Sequence, residues 1–231
     1  MISFTLQNYK KIMEYANYIA RCIEIARRGE YFVAPNPMVG AVLVRNSDEK
    51  VLAEGWHERY GEGHAEVNCF KHLEETPALS HEKINMKDCT LFVSLEPCSH
   101  YGKTPPCADL IVSKGVKRVV VGCIDPFAKV QGRGIARLRD AGIDVTVGVL
   151  EADGLRPNRR FITFNTHQRP YILLKWAQSA DAFIDDHGVA ARFSTPFTTM
   201  LMHRLRSECD AILVGRVTDE REHPRLDVRE W

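Results

Sequence analysis

The chain has 231 residues, 45% of them hydrophobic and 26% charged, the balance of a globular protein with room for one large domain or one and a half ordinary ones. Lys and Arg number 31 against 30 Asp and Glu, a net charge of +1, so no overall field draws the chain toward nucleic acid. No apolar run approaches the ~20 residues of a membrane helix, and Met1 to Lys11 has neither an apolar core nor a small-residue cleavage site, which argues against a membrane partner or a leader and for the cytoplasm.

Tyr18 to Arg28 places Ile19, Cys22, Ile23 and Ala26 on one face of a helix that Gly29 can stop. Asn36-Pro37 marks a turn. Val39–Val44 and Val51–Ala53 are β-branched runs around a polar loop, the pattern of a hairpin. A helix is expected to begin near His64, and residues 74–88 read as a loop. Thr90–Leu95 is a strand ending at Glu96-Pro97-Cys98, with a short helix from about Cys107 to Ser113 after it. Val116–Val121 reads as a strand whose apolar run, Val119–Val121, is as expected in a sheet covered on both faces. Gly134–Ala141 reads as a helix closed by Gly142, and Ile143–Val147 as another strand, so the alternation implies an α/β sandwich. Composition changes after Leu150. Residues 1–150 are expected to form the first domain, 151–168 a connecting helix, and 169–231 a second α/β unit with strands at Tyr171–Leu174 and Ala211–Val214 around a helix at Phe197–Ser207.

Seven Cys are scattered along the chain, and most read as small buried hydrophobes in a reducing compartment. Cys98 and Cys107 differ, because they stand in a polar segment rich in Pro and Gly. With His64 they offer one imidazole and two thiolates, a donor set suited to zinc with one position open. Glu66, two residues from the His, is not needed for charge balance and can take a proton from water and pass it to a leaving group. His-x-Glu followed by Pro-Cys-x-x-Cys marks zinc-dependent base deaminases. Here the His-x-Glu and the Pro-Cys are present, but eight residues separate the two Cys. Helix N-termini at His64 and Cys107 would lower the thiol pKa values. Three alternatives stay open on the residues alone. One is a structural zinc closed by His57 or His100, which leaves Glu66 without a role. The second is no metal, with His64 a core residue. The third is a nucleophilic Cys98 with His64 as base, in which Pro97 and Cys107 have no place.

The segment Ser94-Leu95-Glu96-Pro97-Cys98-Ser99-His100-Tyr101-Gly102-Lys103-Thr104-Pro105-Pro106-Cys107 resembles the bifunctional deaminase/reductase of bacterial riboflavin biosynthesis. The resemblance extends through Asn36-Pro37-Met38-Val39-Gly40, Gly55-Trp56-His57, Gly61-Glu62-Gly63-His64-Ala65-Glu66, Asp125-Pro126, Gly132-Arg133-Gly134 and Leu174-Lys175-Trp176-Ala177. It implies a cytidine-deaminase-like three-layer α/β sandwich, followed by the beginning of a dihydrofolate-reductase-like α/β domain. It implies deamination of 2,5-diamino-6-ribosylamino-4(3H)-pyrimidinone 5′-phosphate, with His64, Cys98 and Cys107 on zinc, Glu66 as proton shuttle, and Asn36, His57 and Lys103 as substrate contacts. Lys103 and His57 can meet a phosphate dianion; on the residues alone, Asn36 reads as a turn residue and Lys103 as a solvated charge.

For the second domain the resemblance implies reduction of the ribose by NADPH, with Ala177, Thr218 and Glu222 at cofactor positions and Arg206, Leu226 and Arg229 at substrate positions. Two residues depart from the family pattern: Ala182 stands where a Gly is expected and Glu222 where an Asp is expected. Residues 169–231 are fewer than such a domain needs, so the reductase half is expected to be incomplete. The implied partner is a small pyrimidine ribotide, and a homo-oligomer is compatible with the sequence. A zinc-stabilised binding module is disfavoured by the intact Glu66. A deaminase of nucleic acid or nucleosides is disfavoured by the charge and the Cys spacing.

Overall fold

The structure, a computed structural model, describes residues 6–77, 83–101, 105–126 and 131–231. It divides into two compact units, Met1–Tyr171 and Ile172–Trp231.

In the first unit, helix α1 (Leu6–Ala26) precedes a hairpin of strands β1 (Gly40–Arg45) and β2 (Lys50–Trp56). Helix α2 (Ala65–Glu75), strand β3 (Cys89–Leu95), helix α3 (Cys107–Lys114), strand β4 (Arg118–Cys123), helix α4 (Arg133–Asp140) and strand β5 (Asp144–Val147) follow. The sheet order is β2-β1-β3-β4-β5. β1 runs antiparallel to both neighbours, whereas β3, β4 and β5 are parallel.

Side chains alternate across a strand, and the two cores divide on that period. Leu43, Leu91, Val93, Val119 and Val121 join the core under α2, α3 and α4. Val42, Val44, Phe92 and Val120 face Tyr15, Ile19 and Cys22 of α1 on the other side. All seven residues of β3 are buried, as a central strand with helices on both faces requires. The expected three-layer sandwich is therefore the architecture found. The expected first helix is longer, reaching back to Leu6. The expected connecting segment 151–168 holds two short helices, α5 (Glu151–Leu155) and α6 (Arg159–His167), and α5 packs on β4 and α1.

The second unit contains a two-residue ladder between β6 (Asp185–Asp186) and β7 (Val189–Ala190), then α7 (Pro196–Ser207) and α8 (Arg216–Glu222). α7 begins where the sequence says it should, with the Thr195 hydroxyl accepting from the Thr198 N–H at 3.2 Å and Pro196 opening the first turn. The strands expected at Tyr171–Leu174 and Ala211–Val214 are not formed. Neither segment has a ladder partner, and Leu174 and Leu213 are 81% and 99% exposed. An apolar run specifies a strand only where a neighbour pairs with it.

Ala182 adopts φ 70°, a left-handed conformation that costs a residue with a Cβ roughly 1–2 kcal/mol. It closes a turn in which its N–H donates to the Ser179 carbonyl at 3.0 Å and the Phe183 N–H donates to the Ser179 hydroxyl at 3.1 Å. Glycine would remove that strain and lose part of the gain to a freer unfolded chain. Ala182→Gly is thus expected to slow amide exchange at Phe183 about two- to fivefold, which NMR-detected exchange would measure.

Candidate metal centre

The site forms where β2 and β3 deliver their C-terminal ends to the starts of α2 and α3. His64 is the N-cap of α2, extended at φ −71° and ψ 168°, and Glu66 lies in the first turn. α2 lies against β2 because residue 55 is glycine: a Cβ there would sit 2.2 Å from the Cys69 nitrogen and 2.5 Å from the Ala65 oxygen. On the other strand, β3 ends one residue before Glu96-Pro97-Cys98, and Cys107 is the first residue of α3. The two Cys are tied locally. The Cys107 N–H donates to the Cys98 sulfur at 3.3 Å, and the Ala108 N–H donates to the Cys98 carbonyl at 3.1 Å.

His64, Cys98 and Cys107 offer three ligand atoms that all lie within 4.8 Å of one another. His64 Nδ1 is 3.6 Å from Cys98 Sγ and 3.3 Å from Cys107 Sγ. Zn–S bonds of about 2.3 Å and Zn–N bonds of about 2.0–2.1 Å at tetrahedral angles put nitrogen and sulfur about 3.6 Å apart. The donor set and its spacing therefore fit zinc. Among the described residues no fourth protein donor joins the cluster, as expected of a centre that keeps one position for chemistry.

The electrostatics agree. A hydrogen bond from the Cys107 thiol, with His64 beside it, holds the Cys98 sulfur well below the usual thiol range, at about 4. Cys107 is pushed up by the same Cys98 contact and by burial. His64 is raised, chiefly by its hydrogen bond to Cys98. The protein alone thus stabilises one thiolate, and a dication between the sulfurs is what makes both of them anionic. Glu66 is 2% exposed. Burial first, then the negative Cys98, raises its carboxyl above the ordinary range, a direction that suits a group required to accept and return a proton.

His57 is buried, and its ring centroid lies 5.3 Å from that of His64. Its Nδ1 lies 3.1 Å from the Gly63 carbonyl, which can only accept, so Nδ1 carries the proton. Nε2 then accepts from the Asn36 amide at 3.3 Å. Burial lowers the His57 pKa, consistent with this neutral tautomer. Asn36 and His57 are thereby brought to the metal cluster, whereas Lys103 lies outside the described residues.

In the second unit Arg206 donates to the Asp227 carbonyl at 3.2 Å, and Arg229 pairs with the Asp227 carboxylate. Leu226, at φ 52°, adjoins them in sequence. Ala177 is half-buried outside any helix or strand, and Thr218 and Glu222 lie four residues apart on α8.

Two residues of this region were not singled out by sequence reasoning. Glu96 is buried, and its carboxylate accepts from four backbone N–H groups: Gly132 and Gly134, both at 2.9 Å, and Asp125 and Ile135, both at 3.3 Å. An acid directly after a largely apolar strand was the signal available. Asn68 donates to the carbonyls of Trp56 at 2.8 Å and Gly63 at 3.1 Å, which fixes the chain entering His64.

Residues 13–123 match the family model described as cytidine and deoxycytidylate deaminase zinc-binding region, and residues 170–231 match the RibD C-terminal domain. The riboflavin biosynthesis protein RibD of Aquifex aeolicus is 40% identical over 92% of this chain and 57% of its own length. The diaminohydroxyphosphoribosylamino-pyrimidine deaminase of Buchnera aphidicola is 41% identical over 62% of this chain and 90% of its own length. The solved deaminase/reductase of Thermotoga maritima superposes with a TM-score of 0.84 at 38% identity, over 95% of this chain and 60% of that one. The chain spans a little over half the length of the two-domain relatives it matches. A cytidine-deaminase-like sandwich carrying a His/Cys/Cys cluster, followed by the opening of a RibD C-terminal domain, places this chain in the riboflavin-biosynthesis deaminase family.

Proposed function

We propose that the first unit is a zinc-dependent hydrolytic deaminase acting on 2,5-diamino-6-ribosylamino-4(3H)-pyrimidinone 5′-phosphate. The observation that carries this reading is the buried Glu66 beside a three-donor cluster that has no fourth protein donor among the described residues. A zinc ion held by His64, Cys98 and Cys107 supplies Lewis acidity, which brings the ionisation of water toward neutral pH. Glu66 takes the proton from the attacking water and returns it to the departing amine. One C–N bond is exchanged for a C=O bond, and ammonia leaves. Asn36, oriented by neutral His57, presents its amide to polar atoms of the substrate. Both His57 nitrogens are engaged, so His57 has no N–H left for the phosphate dianion, which we assign to Lys103 on resemblance alone. The name and 90% coverage of the Buchnera relative support this substrate.

Ammonia release tests the reading. Turnover of the diaminopyrimidinone ribotide should exceed that of cytidine or deoxycytidylate by on the order of 100-fold or more in kcat/KM. A preference for cytidine or deoxycytidylate overturns the assignment.

The family's reductase half uses NADPH. Our reading assigns Ala177, Thr218 and Glu222 to the cofactor and Arg206, Leu226 and Arg229 to the substrate, on resemblance. Residues 172–231 as described do not fit that cofactor, because the runs Tyr171–Leu174 and Ala211–Val214 form no strands and α/β sheets bind such ligands at paired strand ends.

A further inference from the structure

The segment 36–39 carries Asn36 to the site but belongs to no strand. β1 begins at Gly40, and Pro37 has no N–H to donate. Its backbone is nevertheless held. The His57 N–H donates to the Val39 carbonyl at 3.0 Å. Met38 is held from far away in sequence: Asn158 Oδ1 accepts from the Met38 N–H at 2.7 Å, and Asn158 Nδ2 donates to the Met38 carbonyl at 2.9 Å.

Asn158 is 6% exposed and is the N-cap of α6. An Asn there ordinarily folds its side chain over the helix start. This one makes no side-chain cap. Both polar ends of the amide go to Met38 instead, doing for that peptide what a neighbouring strand would do. Among side chains, a primary amide alone offers a donor and an acceptor in this pairing. Asn158 also lies between the two stretches that match family models, 13–123 and 170–231.

We infer that Asn158 is a positioning residue for substrate binding: it fixes the Asn36–Met38 segment so that the Asn36 amide stands where the substrate must meet it. This rests on the deaminase reading above. Asn158 touches neither the metal donors nor Glu66, so its loss should act on substrate capture and leave the chemical step in place.

The test uses Asn158→Ala and Asn158→Asp in the full chain, with steady-state ammonia release and bound zinc measured together. KM for the ribotide is expected to rise about tenfold or more, with kcat changed less than about threefold and zinc at one per chain. Asp has the shape of Asn but cannot donate to the Met38 carbonyl, so it should be no better than Ala. KM within twofold of the unsubstituted chain in either variant overturns the proposal, as does a fall in kcat and zinc content with KM unchanged. Amide exchange in the unsubstituted chain gives a second readout that does not depend on how the variants fold. The Met38 N–H should be protected about 100-fold or more over a free peptide, and exchange at the free-peptide rate overturns the clamp. Absence of ammonia release from the unsubstituted chain, with Met38 protected, sinks the deaminase reading and the binding role with it while leaving the clamp itself in evidence.

Discussion

Replacing Glu66 with Gln is expected to lower kcat for ammonia release by about 10²–10⁴-fold, the usual contribution of a placed acid or base, while bound zinc stays at one per chain. The amide keeps the shape of the side chain and its burial but cannot accept and return a proton. The metal should stay because His64, Cys98 and Cys107 supply the three clustered donors and residue 66 is not one of them. Kinetics and metal analysis of the same preparation decide the matter. Activity within about tenfold of the unsubstituted chain removes Glu66 from the chemistry. Low activity accompanied by lost zinc makes it a structural residue.

The second large effect is expected at Glu96. Its two oxygens each accept from two backbone N–H groups, two of them at the first turn of α4. A carboxylate there also meets the positive end of that helix. Glu96→Ala leaves these donors without their acceptor in a buried place, where each orphan costs about 1–3 kcal/mol before water enters. A net loss of about 3–5 kcal/mol is expected, equivalent to a fall in Tm on the order of 10 °C for a unit of this size. Gln should fall between the two, because one oxygen remains and the new NH₂ faces donors. Denaturant melts of the three proteins provide the measurement, and a loss below about 1 kcal/mol in the Ala variant contradicts the clamp. Gly134 belongs to the same arrangement: a Cβ on it would sit 2.0 Å from the Pro97 carbonyl, so α4 can reach Glu96 only with glycine at that position.

The sequence carried local order well and distant pairing poorly. Strands β3 and β4 announce themselves because burial on both faces leaves unbroken apolar runs, and α2 because His64 and the residues after it give a start and an apolar period. The three metal donors are legible because few roles other than metal binding place a His and two Cys in polar loops. Glu96 resists such reading, since an acid beside a proline looks like a solvated turn until a helix 38 residues away is known to end on it. Asn158 is harder still, as its partner is 120 residues distant and its own surroundings suggest a helix cap. His57 invites a role as a cation facing phosphate. Only the Gly63 carbonyl on one nitrogen and the Asn36 amide on the other reveal a neutral ring. In the second unit the apolar runs at Tyr171–Leu174 and Ala211–Val214 have strand composition, but pairing is a property of two segments and composition describes one.

The two faces of the main sheet differ in what they contribute. The face under α1 is built from Tyr15, Ile19, Cys22, Val42, Phe92 and Val120, and no metal donor or proton carrier belongs to it. The metal donors and Glu66 sit at the start of α2, on α3 or in the loop leading to α3. Mutational tolerance should therefore be lopsided. Library designs aimed at heat resistance can recombine volumes beneath the first helix, where total volume and apolar character are the main constraints, and leave the opposite layer as it is.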